Sequence, residues 1–305
     1  MKIIKSLDEI NKNVILTIGN FDGVHSGHRY FLEQIKKKAT EENCLLAVMT
    51  FIPHPRQILS PSQDFLINTY DERRMLLRDL GIDFLYEINF TRDFSTLSPQ
   101  DFLCQYIGPN QNIKDIFIGH DFAFGKKKSG NHELMKQYCL DKKIGFFLGE
   151  EFQLNGKNVS STTIRQALKS GDMPLTRELL ARDFFMSGRI IKGFGRGRKI
   201  GFPTANLQYA DDRIIPKEGV YATKTYCDGS YYISLTNIGK NPTFDGVEKI
   251  SIETHLLDFS RDIYGEEIRI HFIEYMRGEV RFQSINELIE QIRKDIQLTR
   301  GFSGV

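Results

Sequence analysis

Two histidines three residues apart, His25 and His28, are the side chains whose type and spacing most directly suggest chemistry. They end a glycine-rich segment, residues 19–28, that follows an apolar run and precedes a helix-like segment. A parallel sheet delivers residues to a phosphate at such a junction of strand and helix N-terminus. Imidazoles there can hydrogen-bond the phosphate and stabilise the charge that develops during its transfer.

The same two histidines have plainer interpretations, namely a helix cap with a surface residue, or a metal-binding pair. A metal pair on a helix face usually has i,i+4 spacing and a third ligand, and no third ligand stands out in the sequence. Zinc is therefore not expected.

A second cluster lies in residues 188–201, where five glycines stand among cations. Backbone amides of such a loop can wrap a phosphate. The loop lacks the Walker A pattern and the spacing of a dinucleotide or protein-kinase fingerprint. Taken alone, it is equally typical of an RNA-binding Gly-Arg tract or a basic turn.

Residues 14–183 supply the elements that would position the first cluster. Short apolar runs such as VILTIGNF, CLLAVMTF and DIFIGHDF alternate with amphipathic segments. Fully apolar strands separated by helices indicate a doubly wound parallel sheet, whose ligands lie at the carboxyl ends of the strands. We predict an α/β domain over residues 1–183.

Residues 184–305 have a different texture. The runs FFMSGRII, GVYATKTYC, SYYISLTNIG, ISIETHLLDF and EIRIHFIEYM follow one another without intervening helices, and INELIEQIRKDIQL is amphipathic. This spacing predicts a mainly antiparallel β-barrel or sandwich with a terminal helix. The domain boundary is expected near Asp183.

Composition favours small-molecule chemistry. The 305 residues carry a net charge of +2, so no field recruits nucleic acid or an anionic membrane. The four cysteines have no paired spacing, which is typical of a reducing compartment. The longest apolar stretch is too short for a membrane span. We expect a cytoplasmic enzyme, a monomer or weak homo-oligomer, that binds neither nucleic acid nor membrane.

The segment TIGNFDGVHSGH, residues 17–28, resembles the His-x-Gly-His signature of the nucleotidyltransferase superfamily, and in particular that of bacterial FAD synthetases. Residues 51–55 resemble that family's Pro-His-Pro turn, residues 118–125 its flavin-side and adenine-side loop, and residues 159–165 its Ser-Ser-Thr-x-Ile-Arg motif. The resemblance implies attack of the FMN phosphate on the α-phosphorus of ATP, with release of pyrophosphate and no covalent intermediate.

The resemblance also implies roles for single residues beside His25 and His28. The nucleotide or phosphate contacts are Gly19, Phe21, Asp22, Gly27, His54, Asp121, Ser160, Ser161, Thr162 and Arg165. Phe124 is expected to contact flavin. The plain interpretation of the serines and Thr162 is a helix cap. The run Lys126, Lys127 and Lys128 is as typical of a solvated loop as of a phosphate contact.

In the second half, Phe202-Pro-Thr-Ala-Asn-Leu207 resembles the Pro-Thr-Ala-Asn motif of riboflavin kinases. A Thr hydroxyl and an Asn carbonyl two residues apart are hard oxygen ligands on one face of an extended segment, suited to Mg²⁺. We predict Thr204 and Asn206 as metal ligands. The nucleotide contacts expected around them are Gly193, Gly195, Gly197, Arg198 and Pro203.

Residues 252–259 and 262–265 resemble the kinase's Glu-x-His and Tyr-Gly region, and residues 237–243 match a further motif that would shape the nucleotide or flavin pocket. A carboxylate accepts the proton of a primary hydroxyl that attacks a γ-phosphate, and we predict Glu253 in that role. Without the family match, Glu253 reads as a strand-surface residue in a salt bridge. Asn237 and Thr243 are predicted flavin contacts; their plain interpretation is a hairpin turn.

The resemblance covers roughly residues 14–290, in the order found in bifunctional riboflavin kinase/FAD synthetases. It implies phosphorylation of riboflavin to FMN and adenylylation of FMN to FAD, with ATP as co-substrate and Mg²⁺ as cofactor. Two alternatives are a nucleotidyltransferase of another specificity attached to a barrel, and a flavin- or RNA-binding regulator without turnover. The regulator would show strongly salt-dependent RNA binding, for which the near-neutral charge is unfavourable.

Overall fold

The computed structural model describes residues 1–60, 64–193, 195–242 and 248–302. Contacts within the chain divide it into two compact units, Met1–Ser161 and Thr162–Val305. The unit boundary falls before the predicted one because helix α7 (Met173–Leu180) packs against strands of the second unit. The first of those strands, β9, begins at Phe184, directly after Asp183. The domain boundary at residue 183 stays a prediction.

The first unit contains the predicted parallel sheet, with strand order β1-β4-β3-β2-β5-β6 and parallel pairing throughout. Its strands are β1 (Lys2–Ile4), β2 (Val14–Ile18), β3 (Leu45–Ile52), β4 (Phe84–Asn89), β5 (Ile113–Gly119) and β6 (Gly145–Gly149). All five residues of β2 are buried, as expected of a central strand of a parallel sheet.

The helices of this unit follow the strands in the predicted alternation. They are α1 (Ser26–Glu41), α2 (Pro55–Leu59), α3 (Tyr70–Asp79), α4 (Pro99–Phe102) and α5 (His132–Lys142), with a π-helical turn at Leu103–Ile107. A short hairpin, β7 (Gln153–Leu154) with β8 (Lys157–Asn158), precedes α6 (Ser161–Ser170). The chain runs from β2 to β3 on one side and returns to β5 on the other, so the strand order switches at the carboxyl end of β2. Ligands of open α/β sheets bind at such a switch point.

The second unit contains a closed antiparallel barrel with strand order β10-β13-β12-β11-β14-β9. The strands are β9 (Phe184–Ile191), β10 (Ala205–Gln208), β11 (Gly219–Cys227), β12 (Ser230–Pro242), β13 (Glu248–Leu256) and β14 (Glu267–Arg277). A short helix, α8 (Arg196–Lys199), lies between β9 and β10. The sequence pattern predicted five of these strands. The added strand, β10, carries the Ala-Asn part of the Pro-Thr-Ala-Asn segment.

Hydroxyl groups line part of the barrel interior. Thr223, Thr225, Ser234, Thr236 and Thr254 are 0–1% exposed. The Thr223 hydroxyl lies 2.7 Å from that of Ser234 and 2.8 Å from that of Thr236, which in turn donates to Thr254 at 2.9 Å. Buried hydroxyls are costly unless they are hydrogen-bonded, so this network fixes which residues face each other across β11, β12 and β13.

The terminal helix α9 (Ile285–Gly301) packs against β11 and β12. Ser284 caps it by accepting from the amide of Glu287 at 3.2 Å. On β14, Arg277 donates from Nε and Nη2 to Oδ2 of Asp295 at 3.1 and 2.7 Å. The Asp295 side chain is 2% exposed. Because an uncompensated buried charge is costly, this bidentate pair anchors α9 to the strand.

Candidate functional site

His25 and His28 form one stacked pair at the start of α1. Their ring centroids are 3.6 Å apart with planes inclined by 18°, and Phe21 meets His28 edge-on at 5.1 Å. His25 is the N-cap, and its Nδ1 accepts from the His28 amide at 3.3 Å. A ring nitrogen that accepts carries no proton, so in neutral His25 the proton is on Nε2. The pair therefore places an N–H donor at a helix N-terminus, where an anion is favoured.

The turn before this pair is held in a costly backbone conformation. Phe21 and Val24 have φ of 49° and 38°, in the left-handed region. Asp22 between them is 4% exposed, and its Oδ1 accepts from the amide of Ile67 at 3.0 Å. Strain of this kind persists where the surroundings fix it and is common at ligand sites. The Asp22 carboxylate thus braces the loop.

Two glycines of the motif make room for rings. A Cβ on Gly19 would lie 3.0 Å from the ring of Phe21. A Cβ on Gly27 would lie 3.3 Å from Nδ1 of His25 and equally close to Cβ of Phe152. The lack of a side chain at Gly19 and Gly27 therefore lets the rings of Phe21 and His25 pack against the turn, and the nucleotide contacts of the two glycines stay predictions.

Ser161, the first residue of α6, donates from its hydroxyl to the Asp22 carbonyl at 2.9 Å. The start of α6 is therefore tied to the histidine turn. Ser160 directly precedes the helix, and Thr162 and Arg165 lie further along it. The helix-cap interpretation and the phosphate interpretation of these residues remain compatible.

His54 follows β3 and is the N-cap of α2, with Nδ1 accepting from the amide of Arg56 at 3.1 Å. Its ring packs on Phe65 at 4.8 Å. The backbone amide of His54 donates to Oε1 of Gln57 at 3.1 Å. The rigid turn predicted from the flanking prolines is present, and its histidine also has the plain role of a helix cap.

Asp121 and Phe124 follow β5 and have different surroundings. Asp121 is exposed, whereas Phe124 is 6% exposed and packs on Phe102 and Phe122, each at 5.5 Å between centroids. Phe124 therefore belongs to the hydrophobic core. Its flavin contact stays a prediction, and Phe124 packs against the half-buried Phe122.

The lysine run after Phe124 is exposed and forms a short helical turn. Lys127 and Lys128 have φ of 53° and 58°, so two neighbouring non-glycine residues adopt the left-handed conformation. A positive φ is strained for residues other than glycine, and all three lysine side chains are exposed. Both interpretations of the run stay open.

Arg73 on α3 contacts the loop of the candidate site, and the sequence analysis did not identify it. It is 3% exposed, and its Nη1 donates to the carbonyl of Asn20 at 3.0 Å, just beyond β2. Burial lowers its pKa, which Glu87 opposes by ion pairing at 3.6 Å. Arg73 lies on the same apolar face of α3 as Leu76 and Leu77. An arginine at a core-facing position of a helix is unusual, and this spacing could have identified Arg73 from the sequence.

In the barrel, the predicted kinase residues meet on one face. Glu253 of β13 lies directly opposite Asn206 of β10 on one side and Asn237 of β12 on the other. Directly opposed residues share a face of the sheet, with Cβ atoms about 5 Å apart. The hydroxyl of Thr204 donates to Oε2 of Glu253 at 3.1 Å. Ile252 and Thr254 are at most 1% exposed, so the row of Asn206, Glu253 and Asn237 faces outward.

His255 holds the segment that carries Thr204. Its Nδ1 lies 2.7 Å from the carbonyl oxygen of Pro203, and its ring meets Phe202 edge-on at 5.8 Å. Because the carbonyl can only accept, Nδ1 of His255 is the donor. His255 lies two residues from Glu253 on the same face. The Glu-x-His motif was recognised in the sequence, but no role was assigned to its histidine.

The glycine loop lies against this row. A Cβ on Gly193 would lie 2.2 Å from Nδ2 of Asn206, and a Cβ on Gly197 would lie 2.3 Å from the carbonyl oxygen of Phe202. Gly195 has φ of 67° and is the N-cap of α8, and Arg198 of that helix is exposed. The loop thus approaches Asn206 as closely as glycine allows. Thr243, the remaining predicted contact, lies outside the described residues.

The oxygen atoms of this row fit a divalent cation. Thr204, Asn206 and Glu253 offer a hydroxyl, an amide carbonyl and a carboxylate, which are the hard ligands that Mg²⁺ prefers alongside water and phosphate. The Thr204 hydroxyl gives its proton to Glu253, so the lone pairs of its oxygen remain for a metal. In the part of the chain that the structure describes, no group of three or more His, Cys, Asp or Glu side chains could hold a metal. This site would therefore combine one carboxylate with the neutral oxygens of Thr204 and Asn206.

Comparison with known proteins gives two family matches. The FAD synthetase family model matches residues 7–163, and the riboflavin kinase family model matches residues 180–303. This chain is 36% identical over 296 residues to a bifunctional riboflavin kinase/FMN adenylyltransferase of Listeria monocytogenes, covering 96% of this chain and 93% of that protein. Its identity to the enzyme so named in Bacillus subtilis is 39% over 287 residues, covering 93% and 90%.

One solved structure matches over nearly the whole chain. It is a crystal structure described as a macrolide-efflux protein from Streptococcus pneumoniae, with a TM-score of 0.88, 31% identity and 98% coverage of both chains. Over the described residues of the present chain, no helix is both long and apolar enough to span a membrane. The match supports the fold of both halves.

Proposed function

This chain belongs to the family of the bifunctional riboflavin kinase/FMN adenylyltransferases, and from that premise we propose which of its residues carry the two reactions. The chain phosphorylates riboflavin with ATP to FMN and ADP, and adenylylates FMN with ATP to FAD and pyrophosphate. The prediction drawn from the motifs is confirmed at this level. The assignment of residues rests chiefly on the hydrogen bond between Thr204 and Glu253 within the row of Asn206, Glu253 and Asn237.

In the kinase half, Glu253 is the general base. Its carboxylate takes the proton of the primary hydroxyl of riboflavin while that oxygen attacks the γ-phosphorus of ATP, and the bond from the γ-phosphorus to the bridging oxygen of ADP breaks. Thr204 orients the carboxylate by donating to it. Thr204 and Asn206 would hold Mg²⁺, which neutralises the charge of the nucleotide phosphates when it is bound.

The backbone of the glycine loop complements this arrangement. A Cβ on Gly193 would meet the side chain of Asn206, and a Cβ on Gly197 would meet the carbonyl oxygen of Phe202, so the loop backbone lies beside the segment proposed to bind Mg²⁺ and the nucleotide phosphates. Gly195 and the exposed Arg198 extend the same loop. Backbone amide donors and a guanidinium held around a phosphate stabilise the negative charge that develops on it during transfer. Pro203 contributes through its carbonyl, which His255 holds.

In the adenylyltransferase half, His25 and His28 stabilise the transferring phosphate. An oxygen of the FMN phosphate attacks the α-phosphorus of ATP, and the bond to the departing pyrophosphate breaks. The phosphate nucleophile is already ionised, so no general base is required. The helix N-terminus of α1 and the N–H of His25 offer positive potential at the carboxyl end of β2. His54, Asp121 and Ser161 are proposed to orient the nucleotide around them.

We also propose Mg²⁺ as the divalent cofactor and the cytoplasm as the compartment, with a monomer or weak homo-oligomer as the assembly. The oxygen-only donors of the barrel site support the choice of Mg²⁺. All four cysteines are free thiols, as is usual in a reducing compartment. The net charge of +2 supports binding of small molecules rather than nucleic acid.

The test of both activities is a time course with purified protein, riboflavin, ATP and Mg²⁺, in which the flavins are separated by chromatography. FMN should appear first and FAD should follow. A parallel reaction with FMN in place of riboflavin isolates the second step. Formation of FMN alone, with added FMN left unchanged, would remove the assignment of the first unit.

A further inference from the structure

Glu279, which follows β14, lies against the kinase row although no motif includes it. The Nδ2 atom of Asn237 donates to Oε1 of Glu279 at 3.3 Å. Asn237 is the residue of β12 directly opposite Glu253. A carboxylate only accepts, so it attracts the NH₂ side of the amide and repels the carbonyl side. Glu279 therefore determines which way the Asn237 carboxamide is turned.

Gly239 leaves the space that Glu279 occupies. A Cβ at residue 239 would lie 2.0 Å from Oε1 and 2.8 Å from Cδ of Glu279. Gly239 is two residues from Asn237 on β12, so both are on the same face of the strand. The φ angle of Gly239 is not positive, so a residue with a side chain could adopt the same backbone conformation. A glycine at residue 239 thus makes room for the Glu279 carboxylate, and the backbone conformation does not demand it.

From these contacts we propose that Glu279 is a positioning residue of the kinase reaction, which holds the Asn237 carboxamide with its carbonyl oxygen available beside Glu253. The proposal rests on the kinase activity stated above. A carbonyl oxygen next to the general base can accept a hydrogen bond from a hydroxyl of a bound polyol. The ligand it would recognise is the hydroxylated chain of riboflavin next to the hydroxyl that reacts. Glu279 acts only through Asn237.

The test is a double-mutant cycle with the full-length protein and riboflavin. Asn237→Ala and Glu279→Ala should each raise the KM for riboflavin about tenfold, the scale of one lost hydrogen bond, with the KM for ATP unchanged. The double variant should be no worse than Asn237→Ala, because coupled residues are not additive. Gly239→Ala should raise the KM for riboflavin as Glu279→Ala does. When Gly239→Ala and Glu279→Ala are combined, the KM should rise little further.

The controls separate this proposal from the activity on which it rests. Glu267→Gln changes an exposed glutamate at the other end of β14 and should leave both KM values unchanged. Adenylylation of added FMN should be normal in every variant. Additive effects of Asn237→Ala and Glu279→Ala, or an equal rise in both KM values, would overturn the proposal. If Gly239→Ala fails to fold, the Asn237 and Glu279 cycle decides alone. A wild-type protein that makes no FMN would instead refute the proposed function.

Discussion

Replacement of Glu253 by glutamine tests the role of general base, because it removes the ability to accept a proton and keeps the size of the side chain. The amide has the size of the carboxylate, and its oxygen can still accept from the Thr204 hydroxyl, which now lies 3.1 Å from Oε2. Only the ability to take a proton is lost. General-base catalysis contributes about 10²–10⁴-fold, or roughly 2.7–5.4 kcal/mol at 1.36 kcal/mol per factor of ten. We expect kcat for FMN formation to fall by that factor.

The assay follows FMN formation from riboflavin at saturating ATP and Mg²⁺, with adenylylation of added FMN measured on the same preparation. Thr204→Val is the comparison variant: it keeps the carboxylate, and it removes both the donor to Glu253 and the hydroxyl oxygen proposed for Mg²⁺. A hydrogen bond to a charged group contributes about 1.5–3 kcal/mol, so loss of the donor alone should lower kcat by roughly 10- to 150-fold, and loss of the metal ligand should add to this. A fall of less than tenfold for Glu253→Gln would refute the base assignment. Loss of both activities would refute independent sites.

Three further predictions concern other parts of the chain. His28→Ala should lower the rate of FMN adenylylation by about 10²–10³-fold, as loss of one stabilising donor does, and should leave FMN formation intact. The adenylylation rate is measured by pyrophosphate release. A parallel fall in the kinase rate would contradict this prediction. His255→Phe keeps the ring beside Phe202 but loses the bond to Pro203, and kinase kcat/KM should fall by about tenfold with adenylylation unchanged. Burial raises the pKa of the Cys139 thiol to about 11, so near neutral pH it is protonated and should react with a thiol reagent only after unfolding. The exposed Cys104 should react in the native protein, and immediate modification of both would refute this.

Local patterns were sufficient for most elements of the fold. Apolar runs and amphipathic segments predicted β2 to β6 and the helices between them other than the short α2, where a turn was expected, because strand burial and helical periodicity are encoded in neighbouring residues. Strand β1 was missed, since Lys2–Ile4 is short and its pairing with β4 depends on residues 82 positions further along the chain. After Ser161 the chain forms two helices, α6 and α7, which are separated at Gly171, where φ is 82° and Asp172 caps α7.

The sites were predictable in composition but not in arrangement. Motifs identified Thr204, Asn206 and Glu253, yet only the barrel register shows that Glu253 lies between two asparagines. Cross-strand register depends on long-range pairing that no single segment specifies. Glu279 belongs to no motif, and its contact with Asn237 spans 42 residues. The core position of Phe124 was likewise invisible, because an aromatic in a ligand motif and an aromatic in a core have the same local pattern.

Barrel closure has a consequence for the order in which the two halves mature during synthesis. β9 pairs with β14, and Arg277 at the end of β14 pairs with Asp295 of α9, so the second unit is complete only when its last helix has emerged from the ribosome. The parallel sheet is built from residues 2–149 and can form earlier, since domains fold largely as units from the N-terminus. A nascent chain should therefore adenylylate FMN before it can make FMN. An arrested chain that ends before α9 would be an FAD-forming enzyme dependent on FMN from its surroundings.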